Sequence, residues 1–568
     1  MTLRSYDSES EINFLGVFNA FPAEHFRLHT NAIQVYLRIN VSGKVDKLVI
    51  SKLTQWSDTH EFEISDIKSG KELILGPFPL ETGIKRYSFS LTTRDEFTLH
   101  HAEWLVDDDI VTKKSVDISI TTFKKEKYVI TNVNALNSYK PISNLDYRVL
   151  VIDNGSTLKE NEFNPSDHLK LISQANLGGT GGFMRGLMEA KESKTDYILF
   201  MDDDILLSPE VIYRAIAIAQ ISRSHRAFGG MMFHYTKKDK IHEQGGRLPW
   251  KVKDFFRAIN SGDFLDKELR ENSKYDLLYS EGNPDFSGWW FYMAEVINTP
   301  ILPNFFYKWD DICSSLYLQK HGIKLSIFPT IFVWHEDFDI KRHMYMPDYL
   351  SMRNEVFSFA FLNIPEKQMK ISFNRTFLVV LRDILMWDYS RAELRIKALQ
   401  DVLDYRRILS PEFVITGNGT YPVNLGREYT PSMQGITNDI DVYFEKEQSI
   451  YQRGFANKRL VRLTISVLKL FLPWKRDTLK NGKIPLLSMT NGNFPIIYPY
   501  KKYYLYNPDS DIGYYCEYSF SKTISLLLNL RATLKKVERE YPNIMSYMKS
   551  ATFDQTYWSK IFNGSKEK

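Results

Sequence analysis

The run Tyr197-Ile198-Leu199-Phe200-Met201-Asp202-Asp203-Asp204 decides how the chain is read. An unbroken apolar stretch of this length, closed by polar residues, is the pattern of a strand buried on both faces. Two similar runs precede it, Val116-Asp117-Ile118-Ser119-Ile120-Thr121-Thr122 and Tyr147-Arg148-Val149-Leu150-Val151-Ile152-Asp153. The segments between them are long enough for crossover helices, which predicts a doubly wound α/β domain with a parallel sheet over 113–346. Ligands of such sheets bind beyond the carboxyl ends of the strands, and there Thr121, Asp153 and Asp202 fall.

The flanks read differently. In 1–112, stretches such as Ile33-Gln34-Val35-Tyr36-Leu37-Arg38-Ile39 and Tyr87-Ser88-Phe89-Ser90-Leu91 alternate with period two, and Ser42-Gly43, Ser69-Gly70 and Gly76-Pro77 punctuate them. Short strands at this spacing predict a β-sandwich. Residues 347–568 show helical length and period at Thr376 to Trp387 and Ser521 to Glu540, predicting a mainly helical C-terminal domain. The whole is therefore expected to be a multidomain α/β protein.

Composition bounds the function. The 568 residues are 43% hydrophobic and 25% charged with a net charge of +4, a globular balance rather than a disordered one. No apolar run approaches the ~20 residues that span a bilayer, the first residues carry acids where an export signal has bases, and two cysteines make no disulfide framework. A cytoplasmic protein is expected. The near-neutral total hides a basic end, with 20 Lys/Arg against 8 Asp/Glu in residues 451–568.

The chemistry-bearing residues cluster at the predicted strand ends. Asp202 and Asp204, first and third of the triple acid, can face one side of an extended chain and offer hard oxygens to a cation on a diphosphate; the alternative is an acidic turn before a helix starting at Ser208-Pro209-Glu210. Upstream, Asn176-Leu177-Gly178-Gly179-Thr180-Gly181-Gly182-Phe183 reads as a glycine-rich loop leading into a helix, able to bring backbone close to an anion or simply to flex. Trp309-Asp310-Asp311 opens another helix, where the acids are caps or a general base for a sugar hydroxyl. Trp289-Trp290 suits a sugar platform or a core, and His335, ending the run Val333-Trp334-His335, suits a ligand or a structural hydrogen bond.

Taken in order, Thr121-Thr122-Phe123, Asp153-Asn154-Gly155-Ser156, the glycine stretch, Phe200 to Asp204, Asp285-Phe286-Ser287-Gly288-Trp289-Trp290, Lys308 to Asp311, Trp334-His335 and Tyr349 to Asn354 resemble a GT-A glycosyltransferase of family 2. More narrowly, they resemble the polymerising galactofuranosyltransferases that build cell-wall galactan from UDP-galactofuranose. The resemblance implies that Thr122, Lys125, Asp153, Asn176, Gly178 and Gly179 line the nucleotide, with Asp153 on the uracil. It implies Asp202 and Asp203 near the ribose and diphosphate, and Asp202, Asp204 and His335 around Mn2+ or Mg2+. Trp289, Trp290 and Trp309 would bound the sugar, Asp311 would be the base, and Asp310 would bind acceptor hydroxyls. Inverting transfer of galactofuranose to a glycan or glycolipid hydroxyl follows, with UDP-galactopyranose or dTDP-rhamnose as alternative donors. Three positions depart from the family: Lys125 stands for an Arg, Gly246 for an acid and Ser351 for a His.

The stretch Lys458 to Arg476 mixes bases with a dense apolar face and ends in Pro473-Trp474-Lys475-Arg476. It reads either as an interfacial helix that docks on anionic lipid at the inner face of the cell membrane, or as a core helix with solvated bases. Nucleic-acid binding is disfavoured, since no recognised module surrounds these bases. Homo-oligomerisation is left open.

Overall fold

The computed structural model describes residues 2–3, 10–54, 58–67, 72–250, 257–259, 262–263, 278–338, 344–418, 420–433, 442–444, 484–488, 501–507 and 510–564. The chain divides into two compact units. The first comprises Met1–Pro249, Phe255–Leu302 and Asp311–Glu336; the second comprises Trp250–Asp254, Pro303–Asp310 and Asp337–Lys568.

The first unit opens with two four-stranded antiparallel sheets. One contains Thr2–Leu3, Phe97–Leu105, Gln34–Gly43 and Glu72–Pro79, the other Ser10–Asn13, Ile84–Thr93, Val45–Thr54 and Asp58–Ile67. The period-two pattern explains their faces: Val35, Leu37, Ile39 and Val41 alternate with half-exposed neighbours and are at most 1% exposed. They join Leu48, Ile50, Phe89 and Leu91 from the second sheet in one apolar cluster.

The same unit carries a ten-stranded sheet. Its order runs Leu169–Ser173, Asp146–Asp153, Ser115–Thr122, Tyr197–Asp202, Tyr292–Glu295, Arg226–His234, Lys240–Glu243 and Gly262–Asp263. Lys324–His335 lies parallel to Arg226–His234, and Ile205–Leu206 pairs with its end. The first four strands are parallel, as the apolar runs predict. The expectation of a wholly parallel sheet is corrected at Tyr292–Glu295, which is antiparallel to both neighbours. The sheet is therefore mixed, with a Rossmann-like parallel half.

The second unit is built mainly from helices, among them Met346–Phe361, Glu366–Leu385, Tyr389–Leu403, Tyr421–Tyr429 and Phe520–Ser550. It also holds a four-stranded sheet of Val442–Phe444, Ile484–Ser488, Lys502–Asn507 and Ile512–Glu517. Its interior buries charge as well as hydrocarbon: Arg395 bonds Asp348 at 2.8 Å and pairs with Asp383, while the Tyr345 and Tyr514 hydroxyls donate to Asp388 at 2.6 and 2.8 Å. Buried ions persist only when paired and hydrogen-bonded in this way. The basic stretch Lys458 to Arg476 lies outside the described residues. No described helix is long and apolar enough to cross a membrane.

Candidate functional site

Two strand ends are stitched together at the triple acid. Tyr197–Asp202 runs parallel to Ser115–Thr122 with Asp202 opposite Thr121, and three residues later Ile205 lies opposite His335. The Glu336 N–H then donates to the Asp204 carbonyl at 3.1 Å. This places His335 Nε2 3.4 Å from an Asp202 oxygen and 3.0 Å from an Asp204 oxygen. Among the described residues, Asp202, Asp204 and His335 are the one His/Cys/Asp/Glu trio with metal-ligating geometry, their ligand atoms lying within 4.8 Å of one another.

The second shell of hydrogen bonds orients the imidazole. His335 Nδ1 lies 2.7 Å from the Glu336 carbonyl oxygen, so Nδ1 carries the donated proton and Nε2 faces the acids. Burial alone would lower the imidazole's proton affinity, yet hydrogen bonds and charge from Asp202 and Asp204 raise its pKa to about 10. Two carboxylates and one imidazole fit a manganese or magnesium ion, because hard oxygens dominate the set and a bound cation would replace the proton that His335 Nε2 shares with the two acids.

The middle acid points elsewhere. Asp203 accepts the Phe123 N–H at 3.1 Å, and burial, then the neighbouring Asp204 charge, hold its carboxyl above the ordinary range. It thus fastens the turn after Thr122, itself 2% exposed, to the acidic turn. Lys125 pairs with Glu336 at 2.8 Å, bringing a cation beside the residue that follows His335.

Asp153 is held by its own turn. It is fully buried, and its carboxylate accepts the N–H groups of Gly155, Thr157 and Leu158 at 2.8, 2.6 and 2.8 Å. In this conformation it shapes the turn after its strand. The next residues extend the scaffold: Gln174 Nε2 donates to the side-chain oxygen Oδ1 of Asn154 at 2.9 Å, and Asn154 Nδ2 donates to the Gly178 backbone carbonyl at 3.1 Å. Asn176 accepts the Gly178 N–H at 3.0 Å, two residues along, where the following helix begins.

The glycine stretch is not a loop. Helix Gly178–Ser193 begins at Gly178, so Gly179 and the glycines after it are helical. A Cβ on Gly182 would lie 2.1 Å from Thr121 Cγ2, and one on Gly186 would lie 2.0 Å from Ser119 Oγ. Glycine here lets the helix rest directly on strand Ser115–Thr122. Close packing, rather than an anion cradle, accounts for these two residues.

The adjacent tryptophans part company. Trp289 is a core residue, its ring 4.9 Å from Phe183 and 4.7 Å from Phe200, centroid to centroid. Trp290 donates its Nε1–H to the Gly230 carbonyl at 3.0 Å and sets its ring edge-on to His335 at 6.5 Å. Of the pair, Trp290 is the one beside the trio.

One buried acid escaped the sequence reading. Glu243 ends strand Lys240–Glu243, is 8% exposed, and its Oε1 has no hydrogen-bond partner among the described residues. Burial, and then the charge of Asp311, push its carboxyl up to about 8. The register places it opposite Met232, two residues before His234, which lies opposite His335. Gly246, three residues on, stood out in sequence; the burial of Glu243 near an acid 68 positions away did not. Gly246 is explained too, because a Cβ there would come within 2.2 Å of the Phe286 ring and leaves no space for an acidic side chain.

Asp311 stands in the first turn of helix Asp310–Lys320, its Oδ1 2.8 Å from the Ile312 N–H. Trp309 and Asp310 belong to the second unit, with Trp309 4% and Asp310 6% exposed, and Trp309 edge-on to Phe359 at 5.4 Å.

The sheet and the acidic trio lie where a family model matches: residues 117–268 match the model for glycosyl transferase family 2, a stretch that holds Asp202 and Asp204. Two curated relatives are similar over a longer stretch. The chain is 28% identical over 423 residues to galactofuranosyltransferase GlfT2 of Mycobacterium tuberculosis, covering 70% of this chain and 66% of that one. The same identity and length relate it to GlfT2 of Mycolicibacterium smegmatis, over 70% of this chain and 64% of the relative. The match thus spans just under two thirds of these relatives. A solved glucosyl-3-phosphoglycerate synthase of M. tuberculosis aligns at 12% identity and a TM-score of 0.28, over 44% of this chain and 81% of that one, too low a score to carry weight.

Proposed function

We propose that the chain is an inverting, metal-dependent glycosyltransferase that moves galactofuranose from UDP-galactofuranose to a hydroxyl of a glycan acceptor. The observation that carries this is the convergence of Asp202 and Asp204, inside the stretch that matches the family 2 model, on His335 at the end of strand Lys324–His335. The likeness to the two galactofuranosyltransferases supports the choice of donor.

In this reading the three ligands hold Mn2+ or Mg2+, which when bound offsets the charge growing on the UDP leaving group. Asp203 and the Thr122–Phe123 turn fix the neighbouring backbone, and Lys125 supplies a cation for phosphate oxygens. Asp311 takes the proton of the acceptor hydroxyl, whose oxygen attacks the anomeric carbon opposite UDP. A single displacement inverts that centre and yields a β-linkage from an α-linked donor. Trp290 borders the sugar, whereas Trp289 supports the wall from the core.

The larger arrangement is part of the same proposal: a β-sandwich over 1–112, the catalytic domain over 113–346 and a mainly helical domain over 347–568. So is a lipid-linked acceptor reached from the inner face of the cell membrane, which the sequence of Lys458 to Arg476 supports. A donor panel with manganese and NMR of the product tests the function. UDP release from UDP-galactofuranose with a new β-galactofuranosyl signal is expected; release from UDP-galactopyranose or dTDP-rhamnose instead would replace the donor. Asp311→Asn is expected to bind UDP and lose transfer.

A further inference from the structure

Ahead of Asp310 and Asp311 the backbone takes a costly form. Phe306, Lys308 and Trp309 all have positive φ, at 72°, 69° and 73°. Side chains with a Cβ rarely adopt this region, and three in four residues persist only where the surroundings over-determine them.

The second unit supplies that constraint from one helix, Met346–Phe361. Asn354 Nδ2 lies 2.9 Å from each of the carbonyl oxygens of Phe305, Tyr307 and Lys308, so its two N–H groups serve three acceptors with one shared. Arg353 Nη2 donates to the Phe305 carbonyl at 2.9 Å. Arg353 Nε also donates to Asn354 Oδ1 at 2.9 Å, which settles the amide's orientation with its nitrogen toward the loop. Both residues are at most 1% exposed. The Arg353 guanidinium also lies over the Tyr349 and Phe357 rings, at 5.4 and 6.0 Å, while its Nη2 and all the Asn354 donors go to the loop carbonyls.

We propose that Arg353 and Asn354 are positioning residues for the acid pair Asp310 and Asp311, holding the left-handed run so that the helix beginning at Asp310 starts in its catalytic place. The inference rests on Asp311 being the base. Released from the clamp, the run relaxes toward negative φ and carries the start of the helix with it. A shift of ~1 Å at a reacting group costs on the order of 100-fold in rate.

The test is a rescue. Asn354→Ala is expected to lower kcat by roughly 10- to 100-fold while KM for the UDP-sugar stays within about threefold, since a positioning loss is felt in turnover and not in donor binding. Adding Lys308→Gly, which accepts positive φ without steric cost, is expected to recover kcat at least about fivefold. A plain structural role would not be repaired by removing a side chain at 308. Unchanged kcat in Asn354→Ala, or a loss that Lys308→Gly does not reverse, overturns the proposal. Should Asn354→Ala fail to fold, the same rescue is read on Arg353→Met, which keeps the apolar bulk and withdraws one donor from Phe305; recovery supports the proposal and its absence overturns it. Asp311→Asn separates the two claims, because retained transfer there removes the base itself, whatever the clamp variants do.

Discussion

Asp153 and the Asp202–Asp204 turn end strands on either side of Ser115–Thr122, in the same sheet, and are put to opposite uses. Asp153 is saturated by its own chain, with three backbone N–H groups on one carboxylate. Asp202 and Asp204 converge on one another and on His335, whose proton they hold between them in place of backbone donors. An acid that serves the fold is surrounded by donors from its own loop. An acid that serves chemistry is left facing other acids, and a cation relieves the repulsion.

The sharpest way to break this contrast is Asp204→Asn. It removes one ligand and half of the like-charge crowding, so transfer is expected to fall at least ~1000-fold while stability changes by no more than about 1 kcal/mol. Melting curves and UDP-release rates measured on the same sample check it. A variant that lost its fold along with its activity would make Asp204 an acid of the Asp153 kind.

Asp153→Ala should behave the other way round. Losing three charge-assisted hydrogen bonds in a buried turn is expected to cost about 3 kcal/mol or more, read as a lower denaturant midpoint. If stability held and only donor binding fell, Asp153 would be a base-contacting residue and the comparison would collapse.

Glu243 gives the smallest and most specific effect. Its folded pKa of about 8 lies above the ordinary 4.5, so the folded chain holds this proton more tightly than the unfolded chain. Stability from this group is therefore fully present below pH 4.5 and is lost as pH rises toward 8. Glu243→Gln cannot ionise; it should match the parent in acid and melt roughly 2–4 °C higher above pH 8. Equal melting temperatures at both ends of the range would separate Glu243 from Asp311.

How much of this was legible in the sequence depends on what each residue's neighbours are. Strand ends were readable because apolar runs announce buried strands and the acids closing them stand out. Alternation likewise marked Gln34–Gly43 and Ile84–Thr93. The glycine stretch misled because composition shows that a backbone is free, not that it is close: Gly182 and Gly186 are used for smallness against Thr121 and Ser119. Trp289 and Trp290 are neighbours in sequence, and only the turn they occupy sends one ring to Phe183 and Phe200 and the other toward His335. Glu243 depends on Asp311, and Asn354 on three carbonyls some 46 to 49 positions upstream, relations that no local pattern carries.

The most direct test of the central claim is UDP binding by titration calorimetry with and without Mn2+, in the parent and in Asp204→Asn. The account predicts that manganese tightens UDP binding by at least tenfold, about 1.4 kcal/mol, in the parent and leaves the variant unchanged. Manganese having no effect on the parent, or the same effect on both, would contradict it.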